Sequence, residues 1–246
     1  MTEAATNDVA QFLARQIERA KALRLEGASS SERAAKRALL RQWQAARLAA
    51  THQDLLEDPG YRPAAEFFLS DLYGMKDTSK RDADVEHIYP IMVRMLPDHA
   101  LHSIGVALEL DALTEQLDEQ LLHVLEPQLR ADGQITESAY AQAYRRCNNY
   151  ALRKHQIALI TEVGQHLSEM VNKPLVYKTL RAMRLPARLA GFGELQDFLE
   201  RGFGAFLKLH DPQEFLSLIE RRETQILDRI YAGDPRPFDL APHVGG

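Results

Sequence analysis

Apolar residues recur at three- and four-residue spacing along most of this chain, and the strict alternation expected of strands is nearly absent. Val9, Phe12, Leu13, Ile17, Ala20 and Leu23 form a first stripe after the cap candidates Thr6 and Asn7, and Gly27 closes it. Ser29, with Glu32 three residues on, offers a capping box for a second helix reaching about Leu56. The segment DPGYRP at 58–63 is a turn, because two prolines and a glycine cannot continue a helix. A third helix is expected over about 63–73. Ala65, Phe68, Leu69 and Leu72 make its stripe, while Phe67 and Tyr73 lie beside it, so neighbours should enclose it. Gly74 stands where a left-handed cap belongs, and Ser79 with Asp82 resembles a capping box for a fourth helix, kinked at Pro90.

From Pro97 to about Glu126 the pattern gives one long helix with two apolar faces. Leu101, Ile104, Leu108 and Ala112 share one; Val106, Leu110, Leu113, Leu117, Leu121 and Val124 share the other. After a turn at 130–135, the spacing predicts the longest helix over about 136–171, until Pro174 stops it. A shorter basic segment, 174–190, is broken by Pro186. Asp211-Pro212-Gln213-Glu214 then sets a cap, a first-turn proline and a capping glutamate in order, starting a last helix that runs to about Tyr231. The expected fold is all-α: a multi-helix bundle of about eight or nine helices with one long central helix. It reads as a single domain over 1–232, with 1–56 as a possible helical-hairpin extension, followed by a flexible tail over 233–246.

Charge adds an asymmetry to this picture. The formal net charge is −5, yet residues 1–50 hold nine basic side chains against five acidic ones, leaving −9 for the remainder. No acid occurs between Glu169 and Glu194, where Lys173, Lys178, Arg181, Arg184 and Arg188 fall. Lys178, Arg181, Arg184 and Arg188 are therefore candidate anion contacts. With only Tyr177 close by to stack on a base, nucleic acid is disfavoured, and pairing with acidic helices of the same fold is the simpler expectation. The lone Cys147 cannot close an internal disulfide, no apolar run approaches the roughly 20 residues of a membrane span, and the start lacks a signal peptide's character. A cytoplasmic protein without a membrane segment is expected.

Candidate chemistry concentrates on the predicted 136–171 helix. Tyr144, Asn148, His155, Glu162 and His166 fall within roughly one quadrant of a continuous wheel. Glu162 and His166 are i, i+4 neighbours, so both can approach one metal ion, and carboxylate with imidazole suits iron, zinc or manganese. Supporting ligands could come from Glu115 and Glu119, with His123 one turn after Glu119. The plainer reading makes this quadrant the boundary between core and water, and the Glu-x-x-His pattern of di-iron bundles is absent. His99 and His102 open the preceding helix, with His99 on the Val106–Leu110–Leu113 face, where it could meet a pocket or a haem. Cys147 reads as a small core residue. No phosphate loop, nucleophile elbow, Cys-x-x-Cys or His-Glu-x-x-His occurs.

Phe67-Phe68-Leu69-Ser70-Asp71-Leu72-Tyr73-Gly74, followed by Asp77, Arg81, Asp82 and Asp84, resembles an FFL-x-DLYG motif of bacterial proteins of similar length. The resemblance is firmest over roughly 60–125. It implies a bacterial helical domain of unknown function and brings no catalytic residues with it. In physical terms Asp71 and Tyr73 end one helix while Arg81 and Asp84 begin the next, so an Arg81–Asp71 pair would fix the angle between them. Asp71, Tyr73, Arg81, Asp84, Asn148 and His155 are the ligand-binding candidates. The leading functional expectation is a helical module binding a protein partner or small ligand without catalysis, with a homodimer as one form such a partnership could take. The alternatives are a metal- or haem-dependent enzyme using Glu162, His166, Glu119 and His123, and a phosphate or nucleic-acid binder through 173–188. The sequence requires no cofactor; iron or haem would be the first to test.

Overall fold

A computed structural model describes residues 3–26, 31–72, 79–95, 98–128 and 134–240. The fold is all-α, with twelve α-helices and no strand among these residues. They are α1 (Glu3–Glu26), α2 (Ser31–Thr51), α3 (Gln53–Glu57), α4 (Arg62–Phe67), α5 (Ser79–Met95) and α6 (Asp98–Leu125), then α7 (Glu137–Arg146), α8 (Tyr150–Val171), α9 (Pro174–Ala182), α10 (Arg184–Leu189), α11 (Gly193–Leu207) and α12 (Pro212–Ala232). A π turn, Phe68–Leu72, extends α4, and a 3-10 turn, Glu126–Gln128, ends α6.

The helix count exceeds eight or nine because three predicted stretches are each divided in two; the basic 174–190 segment divides at Met183, and Pro186, the expected break, lies in the first turn of α10. The second helix pauses at His52, splitting α2 from α3. More consequential is the break in the expected 136–171 helix. Asn148 adopts a left-handed φ of 49°, and α8 starts afresh at Tyr150. Asparagine tolerates that conformation better than most side chains, and the adjoining Asn149 secures the joint. Its backbone N–H donates to the Tyr231 hydroxyl at 3.0 Å, and its side-chain amide to Gln120 Oε1 at 2.8 Å. The longest helix is therefore α6, at 28 residues.

Helix α6 is central because its sequence is apolar on two sides. Leu101 and Leu108 pack with Leu13 and Ile17 of α1 and Val85 and Met92 of α5. Val106, Leu110, Leu113 and Leu117 turn instead to Leu159 and Ile160 of α8, Phe203 and Phe206 of α11, and Phe215 of α12. Past mid-helix, Leu121, Leu122 and Leu125 meet Leu40 of α2 and Tyr140 of α7. Each such side chain removed from water is worth about 1.5–3 kcal/mol, which makes α6 the common wall of three clusters. Phe67 and Phe68 are both buried and contact different aromatic partners, Phe198 and Phe206 respectively, as a helix enclosed by neighbours requires.

Two close approaches set the helix positions. A Cβ at Gly105 of α6 would come within 2.5 Å of Phe12 Cε1, so this glycine lets α1 lie directly on α6. A Cβ at Gly164 of α8 would meet the Leu216 side chain of α12. The predicted Asp211 cap is present, its side chain accepting from the Glu214 N–H, and Thr136 Oγ1 caps α7 by accepting from the Ala139 N–H. Pro90 lies inside α5, which runs through it. Gly27, Ser29 and Gly74 lie outside the described residues.

The segment read as a flexible tail makes defined contacts over 233–240. The Arg229 guanidinium donates to the Asp234 carboxylate at 2.8 Å and to the carbonyls of Arg236 and Asp239. Phe238 stacks edge-on against Trp43 and Tyr140. Residues 241–246 lie outside the described set. No helix among the described residues is long and apolar enough to cross a membrane.

Candidate functional site

Helices α6 and α8 run antiparallel, and their interface carries a polar region at each end. Residues 117–120 of α6 face 149–153 of α8, and His102 faces Glu162 and His166.

The first region is interior. Arg153 is 3% exposed, and its guanidinium donates to Gln156 Oε1 and to the Leu117 carbonyl, each at 3.1 Å. It lies 4.5 Å from the Tyr144 ring centroid, and its Nε finds no acceptor among the described residues. All of these direct partners are neutral. The carboxylate that attracts it through space is Asp118, also 3% exposed, which accepts from Gln44 Nε2 at 2.9 Å and lies 3.9 Å from Arg41 Nε. Burial pushes the Asp118 carboxyl above its usual range, against the pull of Arg153 and Gln44. Tyr140 and Tyr144 are likewise raised by burial.

Beside this group sits a true ion pair. Arg47 Nη1 donates to both Glu223 oxygens at 2.7 Å, and His52 Nε2 lies 3.1 Å from Glu223 Oε1. Burial alone would raise the Glu223 carboxyl, but Arg47 and His52 outweigh it and hold the group at about 2. A cavity of about 40 Å³ opens among these residues, lined by Gln44, Arg47, Asp118, Tyr140, Tyr144, Arg153, Gln156, Glu223 and Phe238 together with aliphatic side chains of α8 and α12. Sequence reasoning missed this network. Its signals were an acid, Asp118, within the apolar run of α6, and Arg153 at helical spacing from Gln156, Ile157 and Ile160.

Residues 24–237 match a family model described as a domain of unknown function, DUF8198. The chain belongs to the DUF8198 family. No curated protein and no solved structure matches it. The DUF8198 match takes in both polar regions, and its description assigns no activity.

The second polar region within the DUF8198 span contains two residues singled out from sequence. Glu162 and His166 of α8 are joined by His102 of α6, not by Glu119 and His123. One ligand atom from each of the three lies within 4.8 Å of the others. His102 Nε2 is 3.6 Å from Glu162 Oε1, and the two imidazole centroids are 5.7 Å apart. Glu119 instead binds Arg33 and Arg37 of α2, and His123 is exposed about 30 Å along α6 from His102 at 1.5 Å per residue. Glu115 is likewise taken by Arg41. His99, expected on the apolar face, is exposed.

The other candidates scatter. Asn148 is exposed at the left-handed break, so it leaves the quadrant expected of a continuous helix. His155 is half-exposed and lies 2.8 Å from Glu109. Asp84 is buried on α5. Tyr73 and the side chains of Asp71 and Arg81 lie outside the described residues. In the basic segment, Arg184 is bound by Glu200 and Arg188 by Asp197 of α11, so the fold's own acids neutralise half of the proposed anion contacts. Lys178 and Arg181 are exposed, with Arg181 over the Tyr177 ring. Cys147 packs against the α2–α6–α7 cluster, and burial raises its thiol.

Proposed function

We propose that this DUF8198 chain is a non-catalytic binding module whose ligand is a small anion, a carboxylate or an inorganic ion, taken into the cavity among α2, α6, α7, α8 and α12. The observation that carries the reading is Arg153: a buried cation whose direct partners are all neutral and whose Nε–H has no acceptor among the described residues. A buried guanidinium with no carboxylate in hydrogen-bond contact is costly, and Asp118, which attracts it through space, is engaged by Gln44 instead. An anion entering the cavity would complete the ion pair. Size narrows the class. About 40 Å³ is a few times the roughly 10–15 Å³ that one water needs, and far below the roughly 300–1,000 Å³ of pockets that hold nucleotide- or drug-sized ligands.

The test is calorimetric titration of the full chain with formate, acetate, chloride and phosphate at fixed ionic strength, with thermal unfolding measured in parallel. Saturable binding of at least one anion, raising Tm and lost in Arg153→Gln, is the expected result. Absence of binding by all four, or undiminished binding by the variant, overturns the reading. Gln156→Ala, which removes a cavity-wall acceptor without touching a charge, serves if Arg153→Gln does not fold.

A further inference from the structure

The histidines and glutamate at the other end of the α6–α8 interface carry a separate inference, independent of the anion reading. We propose that His102, Glu162 and His166 form a binding site for a divalent first-row transition metal ion, zinc being the probe of choice. Three features converge on it.

The first is donor geometry. A tetrahedral ion with bonds of about 2.0–2.1 Å holds its ligand atoms roughly 3.4 Å apart. His102 Nε2 and Glu162 Oε1 already stand 3.6 Å apart, and all three donors lie within 4.8 Å of one another, so small side-chain rotations close the set. The second is donor chemistry. Two imidazoles and one carboxylate form the three-ligand set of open metal sites, suited to zinc and its neighbours rather than to calcium or magnesium. The third is an unfilled interaction. His166 Nδ1 is buried and has no hydrogen-bond partner among the described residues, and a buried polar atom without a partner is uncommon enough to require one.

The surroundings suit a bound ion. Glu162 and His166 are one turn apart on α8, while His102 projects from the facing helix, so the ion would staple α6 to α8. Gly164, between the two α8 ligands and on the opposite face, lets α12 close behind them. The Phe12 ring of α1 lies 5.5 Å from the His102 ring and forms an apolar wall beside it. His102 and Glu162 side chains remain 45% and 40% exposed, which leaves a path from solvent and room for water as a further ligand.

The experiment is zinc binding by the full-length chain after chelator treatment, measured by competition with a chromophoric chelator and by metal analysis after gel filtration. One zinc per chain is expected. His102→Ala and His166→Ala should each weaken binding by at least about tenfold, the lower end of what even outer-shell losses cost. His155→Ala, at a half-exposed His–Glu pair lacking a third ligand, should leave it unchanged. Cobalt(II) in place of zinc should give visible absorption bands that disappear in both ligand variants. Failure of the wild-type chain to bind at micromolar zinc, or equal binding by all three variants, overturns the site. Circular dichroism of each metal-free variant separates a lost ligand from a lost fold. Anion titrations are unaffected by either outcome.

Discussion

Glu223 and Glu200 are two carboxylates held at about 2, yet they mean different things for the fold. Glu223 is buried in α12 between Arg47 and His52, and the Arg47 side chain is only 14% exposed. Glu200 sits on α11 against Arg184, whose side chain is 47% exposed at the basic corner formed with α10. Water competes for the second pair and hardly reaches the first. A depressed pKa reports how strongly a charge is held where it is. Its worth to stability depends on what the partner would do once released, and Arg184 would simply be hydrated where Arg47 would be stranded.

The sharpest break in that comparison is Glu223→Ala. It leaves Arg47 buried without its anion and should cost about 3–5 kcal/mol in urea unfolding. Loss of less than about 1 kcal/mol would mean that Arg47 finds water or another acceptor. Acid titration comes next. Because folding depresses the Glu223 pKa, its contribution is fully present above the unfolded value of 4.5 and is lost as pH falls through about 2. That contribution is about 3 kcal/mol, so between pH 5 and pH 2 the wild type should lose about this much more stability than Glu223→Gln, while depressed carboxylates such as Glu200 act equally in both chains. Asp118 acts in the opposite sense, since burial raises it, and comparing the two chains cancels its share. Metal-free His166→Ala should melt close to wild type, because the change removes a buried nitrogen that already lacks a partner. Glu200→Ala should have the smallest effect, a shift of no more than about 2 °C in Tm that shrinks further in high salt. A larger shift would show that the α10–α11 corner is tied into the core after all.

The all-α fold was legible because three- and four-residue spacing is a local property, and the two-faced pattern of the sixth helix maps onto separate clusters. Its interruptions were not. His52 and Asn148 break helices without proline or glycine, and the joint at Asn148 is secured by Tyr231 and Gln120 from distant helices. The same limit governs the sites. Glu162 and His166 are a local pair and could be read from sequence, whereas choosing His102 over Glu119 and His123 requires knowing the register of α6 against α8. Arg47, Arg153, Asp118 and Glu223 have the composition of surface charges, and only packing turns them inward. Arg184 and Arg188 were the legible case: the acid-free stretch pairs with acids of the following helix, as the charge pattern implies.

The chain contains a single tryptophan, and its position gives the interior network an optical reporter. Trp43 stacks on Tyr140 at 4.0 Å and meets Phe238 edge-on at 5.8 Å, so one indole touches both the cavity wall and the segment that covers it. Intrinsic emission excited at the red edge, where tyrosine does not absorb, therefore comes from this corner alone. Undocking of residues 233–240 would hydrate the ring and shift its spectrum to the red while the rest of the bundle stays folded, and no label would be needed to see it.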